Sequence, residues 1–442
     1  MVKKITFIFL AVLYTMQIAA QETWSLEDCI THALSHNLQV KQQELNISQT
    51  ENILLQSKLS LLPNASASTS YNIGWGRTLN QNNYQYENSR TSTLSPSVSA
   101  SMTLFAGLQR QNTIKKSKLD LQAAQQDVEK YKNDISLSIA AAYLQILLDE
   151  ERLVVASDQL KTTEEQLKKT KILVDAGSTT MSTYLELQAQ QATEEMNVVV
   201  AQNNISVSYL NLKQLLDLQT SESFKINNPQ IDKLPEIRSN KGINQIFDDN
   251  VSLRPEVKSA EYRLQSLQRQ LQINKGAYYP SLSVGGGVNT RYVEISNTNS
   301  LASISNQLKD NVMYSLGFSL SIPIFNGFQT RTNVRNTELN VRSAELQLQQ
   351  TKNTLYKEIQ QAEVDAEAAL QRYHAAQKNV TALEESFRYV DQKFNVGMVS
   401  TTDYNVAKTN LSRAQSELIQ AKYQFIFQSK ILEFHQGIPL TL

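Results

Sequence analysis

Two hydrophobic periods follow one another along this chain. Between positions 93 and 105 apolar and polar residues alternate strictly, and the segment 312–325 repeats that alternation. Weaker runs of the same kind cover about 64–75 and 281–293. A period of two places one apolar face and one polar face on a β-strand. The pattern therefore predicts four strands at these positions.

The two faces of the predicted strands differ in composition. One face carries large apolar residues such as Val98 and Phe318, and the other is almost entirely Ser, Asn and Gly. About ten residues let a tilted strand cross a bilayer, and a polar face of small residues suits a water-filled lumen. Four strands cannot close a barrel, and lipid does not tolerate open sheet edges, so chains must share the barrel. The strands alone also fit two hairpins of a soluble β-sandwich.

Downstream of each strand pair the chain becomes helical. The stretch between Gly107 and Gly177 contains 69 residues (177 − 107 − 1) without Gly or Pro, and the stretch between Gly327 and Gly397 contains 69 more. Both stretches are rich in good helix formers. A helix of that length measures about 100 Å and needs lateral partners, as in a coiled coil. Because Gly accepts the left-handed conformation after a helix end, Gly177 and Gly397 are predicted to be the tips of two helical hairpins.

An internal duplication relates the two halves of the chain. Gly177 and Tyr184 recur as Gly397 and Tyr404, each 220 positions later. Such a repeat predicts two copies of one strand–helix unit. The first predicted repeat covers 21–228 and contains N-terminal helices, two of the strands and a hairpin at 108–217 with its tip at 175–180. A linker is predicted at 229–250. The second repeat covers 251–437, with a helix at 255–278, the other two strands and a hairpin at 328–436 with its tip at 395–403, and a tail follows at 438–442.

The N-terminal segment has the order of an export signal. Lys3 and Lys4 precede an apolar run at 5–14, and the small residues Ala19 and Ala20 follow it. This order predicts a signal peptide at 1–20. No later apolar run reaches the length of about eighteen residues that a membrane-spanning helix needs, so none is predicted. Lys plus Arg and Asp plus Glu both number 42, and this balance argues against binding nucleic acid.

Few residues suggest site chemistry. Cys29, His32 and His36 could meet on a helix as metal ligands, but such residues are more often ordinary helix surface, and no metal site is predicted. The single Cys excludes an intrachain disulfide, and the bulky, acidic residues before it do not fit a lipid-anchor cleavage site. The glycines at 285–287 lack the Lys and helix start of a phosphate loop. Without a catalytic motif, the chain is predicted to be neither an enzyme nor a cofactor binder.

Three short motifs match the pattern of one known family. They are Trp24-Ser25-Leu26-Glu27-Asp28-Cys29-Ile30 near the N-terminus, Pro323-Ile324-Phe325-Asn326-Gly327 at a strand-to-helix junction, and Val396-Gly397-Met398 at a helix tip, with Asp403 six residues past the glycine. Each motif is weak alone. Together with the duplication and the strand–helix order, they make the chain, from about Trp24 to Gly437, resemble the TolC outer-membrane efflux family.

The resemblance implies a homotrimeric channel with no catalytic activity. Three copies of four strands would form a twelve-stranded barrel in the outer membrane, and the hairpins would form an α-helical barrel in the periplasm. The family receives substrates from an inner-membrane pump through a periplasmic adaptor that meets the helix tips. The implied adaptor-docking residues are Ala176, Gly177, Ser178, Val396, Gly397 and Met398.

Asp403 has two alternative predicted roles. Its position at the start of the return helix lets it cap that helix. The resemblance supports a second role, in which three copies form an acidic ring at the pore entrance that would favour cations. The first tip reads Ala176-Gly177-Ser178 where the family has a Val-Gly-Leu type, so the identity of the adaptor stays open, and so does the cargo. The alternative function is a secreted coiled-coil scaffold with no transport role, in which the strands are soluble hairpins.

Overall fold

The structure, a computed structural model, describes residues 23–80, 84–219, 224–229, 242–296 and 303–442. The chain divides into two compact units. Of the described residues, the first unit takes those within 23–45, 127–257 and 351–442, and the second takes those within 46–126 and 258–350. Each unit therefore draws on both predicted repeats. The predicted signal peptide, residues 1–20, lies outside the described residues, as do positions 230–241 of the predicted linker.

The predicted strands and long helices occur in the predicted order, and several short elements that were not predicted lie between them. In chain order they are β1 (Thr23–Trp24), α1 (Leu26–His36), α2 (Leu38–Leu59), β2 (Asn64–Asn80), β3 (Gln85–Ala106), α3 (Gln109–Asp175), α4 (Met181–Leu216), β4 (Lys225–Ile226), α5 (Ile243–Asn250), α6 (Pro255–Gly276), β5 (Ser281–Asn289), β6 (Tyr292–Ile295), α7 (Ile304–Asp310), β7 (Met313–Ser321), α8 (Gln329–Asn395) and α9 (Thr401–His435). Within the described part of the chain, no helix combines the length and apolar character needed to cross a membrane.

Helix boundaries repeat with the spacing of the sequence duplication. The first residue of α8 lies 220 positions after the first residue of α3 (329 − 109), and their last residues are separated by the same number (395 − 175). The first residues of α9 and α4 are also 220 positions apart (401 − 181). The strand-to-helix junctions repeat as well. Gly107 and Leu108 have φ angles of +59° and +60°, and Gly327 and Phe328 have +61° and +62°. The prediction of a duplicated pair of long helical hairpins is confirmed.

The second unit contains an antiparallel sheet of order β2-β3-β5-β7, with β6 also paired to β3. Directly paired residues share a face of the sheet. The register forms apolar rows such as Ala67–Val98–Val288–Tyr314 and polar rows such as Ser66–Ser99–Gly287–Ser315. On the apolar face Tyr314, Leu316 and Phe318 are 78 %, 75 % and 70 % exposed. The sheet therefore has one apolar face, exposed along β7 and partly buried along most of β5, and one face of small polar residues.

Three strands differ from their predicted bounds at the ends. β2 and β3 extend further toward their shared turn, because the polar residues there still pair in register as far as Asn80 with Gln85. The alternation is weak in that stretch, so the sequence pattern did not reveal it. β7 stops at Ser321, before Pro323, which has no N–H to donate to a ladder.

The strand predicted at 281–293 is interrupted and becomes β5 and β6. The backbone N–H of Thr290 donates to the carbonyl oxygen of Pro96 at 3.1 Å, but Pro96 has no N–H to return. The register is unchanged across the gap, since Ser97 pairs with Asn289 and Leu94 pairs with Tyr292. The proline on β3 therefore explains why the ladder breaks without shifting.

Polar contacts join the helices of the second unit. Ser57 Oγ on α2 lies 2.9 Å from Ser117 Oγ on α3. Asn274 Nδ2 on α6 donates to Thr337 Oγ1 on α8 at 2.6 Å. Such buried or half-buried pairs satisfy polar groups where long helices run side by side.

The first unit contains a large hydrophobic core. The core brings together α1, the middle of α3, the end of α4 and the last turns of α9. Tyr143 is fully buried in it, and its hydroxyl lies 2.5 Å from the carbonyl oxygen of Asn227 and 3.2 Å from that of Trp24. Trp24 belongs to β1, which pairs in parallel with β4. Tyr143 therefore fixes the N-terminal strand and the segment after β4 to one point of the core.

The N-terminal motif is the start of a helix. Ser25 is the N-cap of α1, its hydroxyl accepts from the N–H of Asp28 at 3.1 Å, and the Asp28 carboxylate accepts from the N–H of Ser25 at 3.0 Å. Cys29 is completely buried, and burial raises the pKa of its thiol to about 12. The rings of His32 and His36 stack with their centroids 4.2 Å apart. In the described part of the chain, no three His, Cys, Asp or Glu side chains gather as metal ligands.

Candidate functional site

The first helix tip is closed by two backbone hydrogen bonds. After α3, Gly177 adopts a φ of +69°. Its N–H donates to the carbonyl oxygen of Val174 at 2.9 Å, and the N–H of Ser178 donates to that of Leu173 at 2.8 Å. This pair of bonds is the Schellman arrangement, which satisfies the last carbonyls of a helix and requires a left-handed residue. Thr180 then caps the start of α4.

The second helix tip repeats the same backbone. Gly397 has a φ of +74°. The N–H groups of Gly397 and Met398 donate to the carbonyl oxygens of Phe394 and Lys393 at 3.0 Å and 2.9 Å. Both tip glycines predicted from the sequence therefore take the left-handed conformation, and neither has an atom within 4 Å of where a Cβ would lie. The constraint at these positions is the backbone conformation and not space.

The predicted docking residues lie at the surface of the two tips. Ala176, Gly177 and Ser178 are exposed at the first tip. At the second tip Val396 and Met398 are 66 % and 77 % exposed. The single chain leaves the side chains of Val396 and Met398 in contact with solvent. The second tip is the more apolar of the two.

Asp403 lies in the first turn of α9, next to the second tip. Ser400 is the N-cap, and its hydroxyl accepts from the N–H of Asp403 at 3.1 Å. The same hydroxyl donates to the Asp403 carboxylate at 2.7 Å. The carboxylate is also exposed. A single chain thus shows the capping contact, and the exposed oxygens leave the residue able to act in a ring as well.

An aromatic cluster below the second tip was not predicted. Tyr404 is 1 % exposed, and its ring stacks on Phe394 with centroids 4.5 Å apart. The ring of Phe387 lies 5.4 Å from the same tyrosine. Burial raises the pKa of Tyr404, so its hydroxyl stays protonated. The cluster fixes the two helices of the second hairpin against each other directly below the turn.

A buried charged network in the first unit was also not predicted from the sequence. Lys408 on α9 is 2 % exposed, and its Nζ lies 3.1 Å from Glu194 Oε1 on α4. It also donates to the carbonyl oxygen of Gln159 at 2.8 Å and to the hydroxyl of Thr163, both on α3. Burial lowers the pKa of Lys408, and the Glu194 carboxylate opposes that shift. Three helices from both repeats therefore meet at one ion pair.

The sequence does contain a signal for this network. The buried positions of α9 include Thr401, Tyr404, Lys408, Leu411 and Ala414, which follow the three- and four-residue spacing of a helix face. A lysine on that apolar face predicts a buried partner of opposite charge. Its partner cannot be chosen from the sequence alone, because acidic residues are frequent along all four long helices.

Comparison with known proteins decides the family. The sequence profile described as "Outer membrane efflux protein" matches residues 29–217 and 248–433. The chain belongs to this family. Its two matched segments follow the two repeats, and the long helical hairpins and strands seen here are those of the TolC-like channel fold. The function is therefore that of an outer-membrane efflux or secretion channel that extends into the periplasm, and the family is not enzymatic.

Individual relatives support this assignment at low sequence identity. The chain is 22 % identical to Toxin and drug export protein A of Aggregatibacter actinomycetemcomitans over 91 % of this chain and 83 % of that protein. It is 21 % identical to Outer membrane protein TolC of Vibrio cholerae over 86 % of this chain and 83 % of that protein. The fold also matches the solved Campylobacter jejuni CmeC outer membrane channel with a TM-score of 0.78 and 18 % identity, over 93 % of this chain and 85 % of that one.

Proposed function

We propose that three copies of this chain form one channel that receives substrates from an inner-membrane pump through a periplasmic adaptor. The observation that carries the trimer is the sheet of the second unit. Its outer strands, β2 and β7, each have one edge that no described strand covers. Lipid does not tolerate unpaired backbone groups, so β2 of one copy pairs with β7 of the next, and three copies close a twelve-stranded barrel.

The adaptor docks at the helix tips in this proposal. The surface consists of Ala176, Gly177 and Ser178 of the first tip and Val396, Gly397 and Met398 of the second. Both tips hold the same rigid turn, and the second exposes two apolar side chains with no core to cover them. A preformed turn loses little conformational entropy when a partner binds, so it suits repeated docking.

The cargo is set by the pump and not by the channel. Relatives that share this architecture are named for the export of toxins and drugs and for the secretion of proteases. Apart from Glu87 near the β2–β3 turn, the polar face of the strands carries small, uncharged residues, and such a face offers little that would discriminate between substrates. We therefore propose a broad duct whose selectivity comes from its partners.

Substitution of both tip glycines tests the docking surface. Gly177→Val with Gly397→Val places β-branched residues at a positive φ, which costs about 1–3 kcal/mol at each turn and distorts it. We expect at least a tenfold loss of export with normal abundance of the trimer in the outer membrane. Gly177→Asn with Gly397→Asn is the matched control, because Asn tolerates the left-handed conformation, and export should stay near normal. Normal export from the double Val variant would exclude docking at the tips.

Charges on the two sheet faces test the shared barrel. Val98→Arg or Phe318→Arg places a cation on the lipid face, at a cost of about 2–4 kcal/mol near the middle of the bilayer, and should block assembly. Ser99→Arg and Ser319→Arg, one residue further along, should assemble and narrow the lumen. Abundance of the oligomer in the outer-membrane fraction separates the two pairs. Equal tolerance of Arg on both faces would contradict the assigned orientation of the sheet.

A further inference from the structure

The β2–β3 ribbon carries its charges only near its turn. Among residues 64–106 the charged side chains are Arg77, Glu87 and Arg90. The register pairs Trp75 with Arg90, and Glu87 with Thr78. Because side chains alternate along a strand, both arginines lie on the apolar face, and Glu87 lies on the face of Ser and Gly. The ribbon thus separates its two positive charges from its negative one.

The position of the arginines along the ribbon matches a membrane surface. The ends of β2 and β3 that connect to helices are Asn64 and Ala106, and the shared turn lies at the opposite end. In a channel whose helices are periplasmic, that turn faces the cell exterior. Residues 64–74 supply the span of about ten residues that crosses the bilayer, so the next pair, Trp75 with Arg90, lies at the outer boundary.

Aromatic side chains surround the arginines on the same face. Trp75 and Tyr86 are 77 % and 62 % exposed, and the Arg77 guanidinium lies 5.5 Å from the centre of the Tyr86 ring. Trp and Tyr favour the level of lipid headgroups, where the ring is half in hydrocarbon and half in water. The aromatic rings therefore place both guanidinium groups at the depth of headgroup phosphates.

Local charge on this face favours an anion. No carboxylate of the described residues lies within ion-pair distance of either guanidinium. Glu294 of β6 shares the face one pair lower, opposite Ser92, and it is engaged by the hydroxyl of Tyr292. Arg77 and Arg90 lie on a cross-strand diagonal, a separation of about 7–8 Å that lets both reach one phosphorylated headgroup. Guanidinium groups bind phosphate through two parallel hydrogen bonds.

We propose that Arg77 and Arg90, flanked by Trp75 and Tyr86, bind the phosphate groups of lipid headgroups in the outer leaflet of the outer membrane. The occupant is a phosphorylated glycolipid, whose acyl chains contact the apolar rows below while its phosphates meet the two cations. The inference rests on the outer-membrane location and does not depend on the adaptor or on the docking tips. It assigns the ribbon an anchoring role beyond transport.

Binding of lipid A by the purified full-length protein tests the proposal. The probe is bis-phosphorylated lipid A, compared with the same lipid after removal of its phosphates. We expect the phosphorylated lipid to bind at least tenfold more tightly. Equal binding of the two lipids by the wild-type protein would overturn the proposal. Complete competition by inorganic phosphate at the same concentration would overturn it too, by showing a site for free anions.

Variants that move each arginine to the neighbouring position, on the opposite face of the ribbon, are matched to the wild type in composition. Arg77→Thr with Thr78→Arg, and Arg90→Ser with Ser89→Arg, keep the composition and net charge but move each cation to the other face. We expect each transposition to weaken binding of phosphorylated lipid A about fivefold and both together to abolish the preference for phosphate. Arg77→Lys with Arg90→Lys should retain part of the affinity. Unchanged affinity in the transposed variants, with normal oligomer abundance, would show that the face of the ribbon is irrelevant.

Discussion

The two repeats of this chain have the same backbone geometry but different side chains near their helix tips. Their helices begin and end 220 positions apart, and both tips use the same pair of hydrogen bonds around a left-handed glycine. The side chains near the tips differ. The positions that correspond to Phe394, Asp403 and Lys408 of the second repeat are Val174, Thr183 and Gln188 of the first (394, 403 and 408, each minus 220).

This difference separates what the fold requires from what is specific to each hairpin. A glycine after the helix, a hydroxyl at the next N-cap and a long stretch without Gly or Pro occur in both repeats, because backbone hydrogen bonding demands them. The aromatic stack, the acid and the buried lysine occur once. If three copies form the proposed channel, the six hairpins therefore alternate between two surfaces around the tunnel, and partners can distinguish them.

Removal of Lys408 should have the largest effect on stability. Lys408→Ala leaves the buried Glu194 carboxylate without its cation, which typically costs about 3–5 kcal/mol. Gln188→Ala, the equivalent change in the first repeat, should cost less than about 0.5 kcal/mol, because the side chain lies at the surface. The free energy of unfolding in guanidinium chloride measures both.

A double variant that removes both charges separates the contribution of the ion pair to stability from that of side-chain packing. Lys408→Met with Glu194→Leu removes both charges and retains volume, so we expect it to recover most of the loss. Glu195→Ala is the control on the same helix, since Glu195 is exposed. A double variant as unstable as Lys408→Ala alone would show that the helices depend on the charged network itself.

The next largest difference in stability is expected between substitutions at the two strand-to-helix junctions. Gly107 and Gly327 have nearly equal φ angles, but a Cβ on Gly107 would lie 2.2 Å from the carbonyl oxygen of Gly276, whereas a Cβ on Gly327 would meet nothing within 4 Å. Gly327→Ala should cost about 1 kcal/mol for the backbone alone, and Gly107→Ala about 2–4 kcal/mol because α6 must also shift. Thermal unfolding of the two variants gives the comparison. Equal costs would mean that the junctions are equivalent despite their surroundings.

The end of α9 should make stability depend on pH. Burial, and then the Arg254 guanidinium, lower the pKa of His435 to about 4 from an ordinary value of 6.5. Between these values the unfolded chain binds the proton and the folded chain does not. Stability is therefore complete above pH 6.5 and falls as the pH drops toward 4, by about 1–2 kcal/mol for a partly exposed group. The corresponding residue of the first repeat is Leu215, which does not titrate.

A variant isolates this contribution from other titrating groups. His435→Asn should flatten the difference in unfolding free energy between pH 7 and pH 5 relative to wild type. Identical pH profiles for wild type and His435→Asn would contradict the lowered pKa.

Backbone features were predictable from the sequence because they depend on local rules. The tip glycines, the N-caps Thr180 and Ser400 and the two faces of the sheet follow from period, capping and turn chemistry. The pairing of β1 with β4 and the partner of Lys408 were not predictable. Each depends on which distant segment packs nearby, and no local pattern encodes that choice. The lengths of β2 and β3 were missed because polar residues continue the ladder beyond the alternating stretch.

The smallest expected change in stability comes from substitution of Asp403, which also tests whether the two tips have different roles. In the single chain its carboxylate contacts the Ser400 hydroxyl, and the negative charge also suits the N-terminus of α9. Loss of a cap costs about 1 kcal/mol. If capping is the whole role, Asp403→Ala should lower stability by that amount and leave ion selectivity unchanged. We propose instead that three copies also face one another at the pore entrance, where close carboxylates concentrate cations.

Single-channel recording separates these roles, because selectivity and stability are independent readouts. We expect Asp403→Ala to reduce cation selectivity in the assembled channel, while Ser400→Ala lowers stability by about 1 kcal/mol and retains the selectivity. Thr183→Asp transfers the acid to the first tip, where Thr180 offers the same capping hydroxyl. Under threefold symmetry this variant places six carboxylates at the two sets of tips, so cation selectivity should rise above that of wild type. Higher cation selectivity in Thr183→Asp would show that the tips of both repeats line the entrance. Unchanged selectivity in Thr183→Asp, together with reduced selectivity in Asp403→Ala, would assign the entrance to the second repeat alone.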